Sequence, residues 1–189
     1  IVDLPDDPGL LIAGLSGSFR STLRRKRRAA ERNGWTTEIR TDAAALDVAF
    51  EVAAESWAHR EGTGIGSTPE NHRFYSALAR RAAERGWLRV ALLRDGDGVA
   101  TAFELNLVRG RDAVNLKLGY RESAGEGSPG LVLRAAVIEA LIAERAGTFD
   151  LLGTDEPYKL HWTDRTVEHA RLRAYPPTLR GRIRHGYRH

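Results

Sequence analysis

The chain has 189 residues, 42% of them apolar and 29% charged, with a net charge of +4. That is enough for one domain with a real core, and ordinary for a soluble globular protein. No run approaches the roughly 18 to 20 apolar residues of a membrane span, and the absence of Cys excludes disulfides, thiolate metal sites and a cysteine nucleophile.

The first predicted element is a helix over "SGSFRSTLRRKRRAAERNG" (16–34), with Ser16 or Ser18 as its cap and Gly34 past its end. The stretch before it, "LLIAGL" (10–15), is too short for a signal peptide and lacks the basic region that would precede one. "WTTEIRT" (35–41) alternates and reads as a strand. "DAAALDVAFEVAAESWAHR" (42–60) reads as one helix, with Leu46, Phe50, Ala53 and Trp57 forming a buried stripe. A glycine-rich loop, "EGTGIGSTPE" (61–70), is either a lid or a plain connection. Thr68 then caps a helix that starts at Pro69 and stops at Gly86.

Three strands follow, at 87–95, 99–110 and 112–122, joined by the hairpin signals Asp95-Gly96-Asp97-Gly98 and Arg109-Gly110-Arg111-Asp112. After them come a glycine-rich turn and an apolar helix ending near Gly147, a short strand "TFDLLGT" (148–154), a short helix "DEPYKLHW" (155–162) and a last strand at 166–175. The implied architecture is α/β, a mixed and mostly antiparallel sheet with helices on both faces.

Two basic segments flank an acidic middle: Ser18–Arg40 and Arg171–His189 each carry a net +6. Such patches attract polyanions but say nothing of fold. The expected organisation is a single domain over 1–175 with a basic tail at 176–189. The chain starts at Ile1 and has no Met, so it is expected to be part of a longer protein. The lack of Cys fits a reducing compartment, and a cytoplasmic location is expected.

The stretch "GEGSPGLVLRAAVIEAL" (125–141) sets glycines and a proline before a helix that reads as buried. A helix start carries unpartnered N–H groups and about half a positive charge. Gly125, Gly127 and Gly130 let a ligand's phosphate approach the backbone, Ser128 suits a cap and Leu131 begins the buried face. The expectation is that several amide hydrogens converge on a diphosphate. Glu126 sits badly in such a cradle, and a plain turn has the same composition.

The order of meander, glycine loop, buried helix, short strand and "PYKLHW" helix resembles the GNAT superfamily of acyl-CoA N-acyltransferases. A nearer likeness, carried by "LSGSFRSTLRRKRRAAERNGW", "LRVALLRDGDGVATAFEL", "GYRESAGEGSPGLVLRAAVIEAL" and "FDLLGTDEPYKLHW", is to the CelD/BioF-like branch and the related FemABX aminoacyl transferases. The GNAT loop pattern Gln/Arg-x-x-Gly-x-Gly/Ala is met here with one residue too many between Arg121 and Gly125. The resemblance implies acetyl-CoA or another acyl-CoA as co-substrate, no metal, an amine acceptor such as a small molecule or amino sugar, and an upstream GNAT-like half. Two alternatives stay open: aminoacyl-tRNA as donor, and a module that binds without catalysis.

Transfer to an alkylamine needs a base, because at pH 7 only about 0.04% of an amine with pKa near 10.4 is neutral, a handicap of about 4.6 kcal/mol. Glu104, which interrupts the apolar strand "VATAFELNL", either serves as that base or simply faces solvent. The leaving thiolate needs a proton. The resemblance implies Tyr158 as its source, with Tyr120 as second candidate. Asp150 is expected to accept a substrate amine or a backbone N–H, and Lys159 to hold a phosphate or carboxylate. His161, Asp164, Glu168 and His169 form a loose cluster whose spacing fits no closed zinc pattern.

Overall fold

The structure, a computed structural model, describes residues 1–168; the expected last strand falls mostly, and the basic tail wholly, outside them. The elements run β1 (Val2–Asp3), α1 (Pro8–Gly14), α2 (Gly17–Arg32), β2 (Thr36–Arg40), α3 (Ala45–Ala54), α4 (Trp57–Arg60), α5 (Pro69–Glu84), β3 (Leu88–Arg94), β4 (Ala100–Arg109), β5 (Asp112–Tyr120), α6 (Pro129–Ala143), β6 (Thr148–Asp150) and α7 (Pro157–Leu160). One six-stranded sheet has the order β1-β6-β5-β4-β3-β2. Every neighbouring pair is antiparallel except β5 and β6, which α6 joins as a crossover between parallel strands.

Strand alternation divides the core in two. Along β3, Ala91 and Leu93 join Phe19, Leu23 and the apolar residues of α6, whereas Val90 and Leu92 pack with α3 and α5. The sheet therefore carries α2 and α6 on one face and α3 and α5 on the other. Full burial of Leu133, Ile138 and Leu141 contributes about 1.5–3 kcal/mol each, which fixes α6 to the sheet.

Helix starts follow their capping signals. Ser16 Oγ accepts the Phe19 N–H at 3.3 Å, and Thr68 Oγ1 accepts the Asn71 N–H at 3.1 Å ahead of Pro69. Asp7 and Pro8 start α1 in the same way, with Asp7 Oδ1 accepting the Gly9 N–H at 2.7 Å.

Three sequence expectations need correction. The helix expected over 42–60 is two helices, broken at Glu55 and Ser56. The Ser56 hydroxyl donates to the Ala53 carbonyl at 2.7 Å, a local bond that competes with the helical ladder. Trp57 consequently leaves the buried stripe and is 49% exposed. Ser128 does not cap α6 with its side chain. It adopts φ +57, in the left-handed region, and its carbonyl accepts the Leu131 and Val132 N–H groups. The glycine loop before it is wound into a 3-10 turn over Glu122–Gly127.

Candidate functional site at the fork between two strands

β5 and β6 pair over only three residues, Asp112–Val114 against Thr148–Asp150. Beyond Val114, β5 runs on to Tyr120 while β6 has ended. At that point β5 also bulges: Leu105 faces Lys117 and Asn106 faces Asn115, so Leu116 is the extra residue. The sheet opens there into a fork.

Two cavities meet at the fork. The larger, about 600 Å³, lies on the α2/α6 face and is walled by Phe19, Tyr120, Gly125, Ser128, Gly130 and Leu131, among others. The smaller, about 360 Å³, lies on the α3 side and is walled by Ser56, Thr63, Phe103, Lys117, Glu156 and Lys159, among others. Trp57, Leu118, Gly119 and Tyr158 belong to both walls. Gly119 is required by its neighbour, since a Cβ there would stand 2.6 Å from the Phe103 ring.

The rim of the larger cavity includes the start of α6. Leu131 and Val132 donate to Ser128 within the turn. Among the described residues this leaves the Gly130 N–H as the uncommitted amide there. The expected convergence of several amides thus reduces to one amide plus the helix dipole. Glu126 is exposed and off the cavity wall, and its carbonyl accepts from Lys26 Nζ at 2.6 Å. Gly127 is also off the wall. A Cβ there would lie 2.4 Å from the Trp35 ring, so this glycine admits a tryptophan against the loop.

Beneath the fork lies a buried polar network. Glu104 is fully buried and Arg134 is 4% exposed. Arg134 Nε donates to Glu104 Oε1 at 2.6 Å, and Nη2 donates to Asn115 Oδ1 at 3.0 Å. Asn115 Nδ2 donates to Asn106 Oδ1 at 2.8 Å and reaches Glu104 Oε2 at 3.4 Å. The Arg134 guanidinium also stands over the Phe149 ring. Burial pushes the Glu104 carboxyl up, opposed by the charge of Arg134. Glu104 borders neither large cavity, whereas Arg134 borders the larger one.

Tyr158 stands at the junction. Burial, and next the nearby Glu156 charge, push its hydroxyl up to about 12, and the Arg134 and Glu104 charges are also felt there. Tyr120 lies on the larger wall. Asp150 borders neither cavity, and its carboxylate accepts the Leu152 N–H at 2.8 Å. Lys159 Nζ donates to the Leu152 carbonyl at 2.7 Å and pairs with Glu156 at 2.7 Å. Asp150 and Lys159 therefore both brace the loop between β6 and α7. His161 stacks on Phe19, with ring centroids 4.7 Å apart, and Trp162 meets Phe19 edge-on.

Sequence reasoning overlooked Arg134, Trp57, Phe19 and Gly119. Arg134 had a signal: it interrupts an apolar helix as Glu104 interrupts an apolar strand, and two opposite charges in buried elements call for each other.

Residues 17–160 match the family described as Acetyltransferase (GNAT) domain. No curated protein matches the sequence. Among solved structures, FemX superposes with a TM-score of 0.63 at 14% identity, covering 89% of this chain and 55% of that one. The L-PGS of Bacillus licheniformis gives 0.54 at 20% identity, covering 79% and 44%. AAC(6')-Iy in complex with a CoA-S-monomethyl-acetylneamine bisubstrate analogue gives 0.51 at 12% identity, covering 74% and 98%. The chain thus spans about half the length of FemX and of L-PGS, and nearly all of AAC(6')-Iy. These likenesses are of fold. The forked sheet and the family match over most of the sequence lead to one assignment: the chain belongs to the GNAT acetyltransferase family and is an acyltransferase domain of that type.

Proposed function

We propose that this domain moves an acyl group from acyl-CoA to the amine of a small molecule or sugar. The observation that carries this reading is the meeting of two cavities, one on each face of the sheet, at the β5/β6 fork. The larger takes the donor. Its rim offers the Gly130 N–H and the positive end of α6 to a diphosphate, and Gly125 and Gly130 carry no side chain to obstruct one. Its aromatic wall suits the pantetheine arm. The smaller takes the acceptor. A protein of the same fold, AAC(6')-Iy, is known in complex with a CoA bisubstrate analogue, which supports a CoA thioester as the donor.

The amine nitrogen bonds to the thioester carbonyl carbon and the carbon–sulfur bond breaks. The ammonium proton must leave first, and Glu104, with its raised proton affinity, takes it through an intervening water, since it touches neither cavity. Tyr158, which borders both cavities, meets the leaving sulfur. A phenol held near 12 is a weaker acid than a thiol of ordinary pKa, about 8.5. Tyr158 therefore stabilises the thiolate by a hydrogen bond, and the proton that finally neutralises the sulfur comes from the amine. Tyr120, on the donor wall, orients the thioester.

A second reading rests on the FemX superposition and on the exposed Arg24, Arg25, Arg28 and Arg32 of α2: an aminoacyl donor carried on tRNA. The test is a thermal-shift panel of acetyl-CoA, longer acyl-CoAs and tRNA. Ligand at 100 times its dissociation constant adds about 2.7 kcal/mol. We expect a response to CoA esters and none to tRNA. A tRNA response alone selects the second reading, and silence throughout leaves a binding module without this chemistry. Tyr158→Phe is expected to lower kcat about tenfold with CoA affinity within twofold, following the one-interaction scale of about 1.4 kcal/mol; unchanged kcat removes Tyr158 from the reaction.

A further inference from the structure

The smaller cavity at the fork, about 360 Å³, is bordered by three charged side chains among the described residues: Lys117, Glu156 and Lys159. Two of them cancel. Lys159 Nζ lies 2.7 Å from Glu156 Oε2 and also donates to the Leu152 carbonyl. Lys117 is different. It stands opposite Leu105 in the β4/β5 ladder, and Leu105 packs in the α3/α5 core. Residues directly opposite in a sheet share a face, so the Lys117 side chain rises on the α3 side. Its Nζ donates to the Thr63 carbonyl at 3.0 Å, and this contact is exposed to solvent. Thr63 borders the same cavity, so the ammonium lies on the wall between β5 and the glycine-rich loop. An ammonium has three donors. Among the described residues the Thr63 carbonyl takes one, and no carboxylate pairs with Lys117. The cavity wall therefore carries one accessible, uncompensated positive charge.

We infer that the acceptor is an amine whose own skeleton carries an anionic group, a carboxylate or a phosphate, which Lys117 binds. This rests on the acyl-CoA reading above, in which the smaller cavity takes the acceptor. The amine reacts at the partition formed by Trp57, Leu118, Gly119 and Tyr158. Lys117 is two residues from Gly119, about 7 Å along β5, so one small molecule spans both points. An anionic oxygen at Lys117 uses the free donors in a charge-assisted bond. A second ammonium on the acceptor would meet a like charge there, and Glu156 is already engaged by Lys159. Lys117 thus selects amino acids or amino-sugar phosphates over polyamines.

The test measures kcat/KM with acetyl-CoA for acceptors of matched skeleton: 4-aminobutyrate, butylamine and 1,4-diaminobutane in one series, glucosamine 6-phosphate and glucosamine in another. Calorimetry gives the Kd of acetyl-CoA and of each acceptor with CoA bound. We expect the anionic member of at least one series to exceed its counterpart without the anion about tenfold, the scale of one charge-assisted contact. The series with the larger ratio tells carboxylate from phosphate, and 1,4-diaminobutane is expected to be the poorest of its series. Lys117→Met is expected to bring the ratio within twofold, and Lys117→Arg to keep the preference. A wild type that binds acetyl-CoA but favours the anionic member of neither series, or uses none of the acceptors, overturns the inference while the acyl-CoA reading stands. So does a preference that survives Lys117→Met. Failure to bind acetyl-CoA removes the acyl-CoA reading and the inference together. Should Lys117→Met not fold, the wild-type ratios alone decide.

Discussion

Strand β4 presents two contrasting faces. Phe103 and Leu105 point toward α3 and α5 into a core without buried charge, while Glu104 and Asn106 point toward α6 into a network with Arg134 and Asn115. Adjacent residues of one strand thus serve different ends. The α3/α5 face is built for cohesion. The α6 face sacrifices cohesion, because a buried ion pair seldom stabilises more than apolar residues of equal volume. The Arg134 end of this pair borders the larger cavity, the one that takes the donor on the proposed reading.

That contrast can be broken experimentally. The largest effect is expected from Arg134→Ala, which strands Glu104 and costs about 3–5 kcal/mol; the double change Glu104→Leu with Arg134→Met is expected to recover most of this in urea unfolding. A double variant no more stable than the single one would mean that the pair holds the fold together after all. Leu92→Ala, on the cohesive face, is expected to cost about 2–5 kcal/mol, with no partner change able to rescue it. The smallest effect is a slope against pH. Glu104 titrates from an ordinary carboxylate value of 4.5 when unfolded and from a higher one when folded, so folding takes up a proton. Stability contributed by this group is full below 4.5 and declines as pH rises toward the folded value. Urea melts between pH 4 and 8 should show this decline in wild type and lack it in Glu104→Gln. Identical slopes would mean that Glu104 is ionised at its ordinary pKa in the fold.

Much of the architecture was legible because its signals are local. Ser16, Thr68 and the two glycine hairpins act on their own backbone neighbours, and the near-continuous apolar runs of β3 and β4 report a sheet covered on both sides. What escaped was set by competition or by shape. The break at Ser56 depends on a hydroxyl outcompeting a helical bond, and Ser128 adopts a backbone region that a non-glycine residue seldom enters. The two-residue β1 has no period to read. At the site, Glu104 was visible as a charge in an apolar run. Trp57 and Phe19 were not, because an aromatic at helical spacing looks the same whether a core or a cavity lies beyond it.

The shared wall of Trp57, Leu118, Gly119 and Tyr158 has a consequence for traffic. Since the two chambers open on opposite sides of the sheet and touch only at that partition, neither reactant has to vacate a doorway for the other. On the proposed assignment both are held at once, in either order of arrival, and the acyl group crosses the partition in a single hop without resting on the protein.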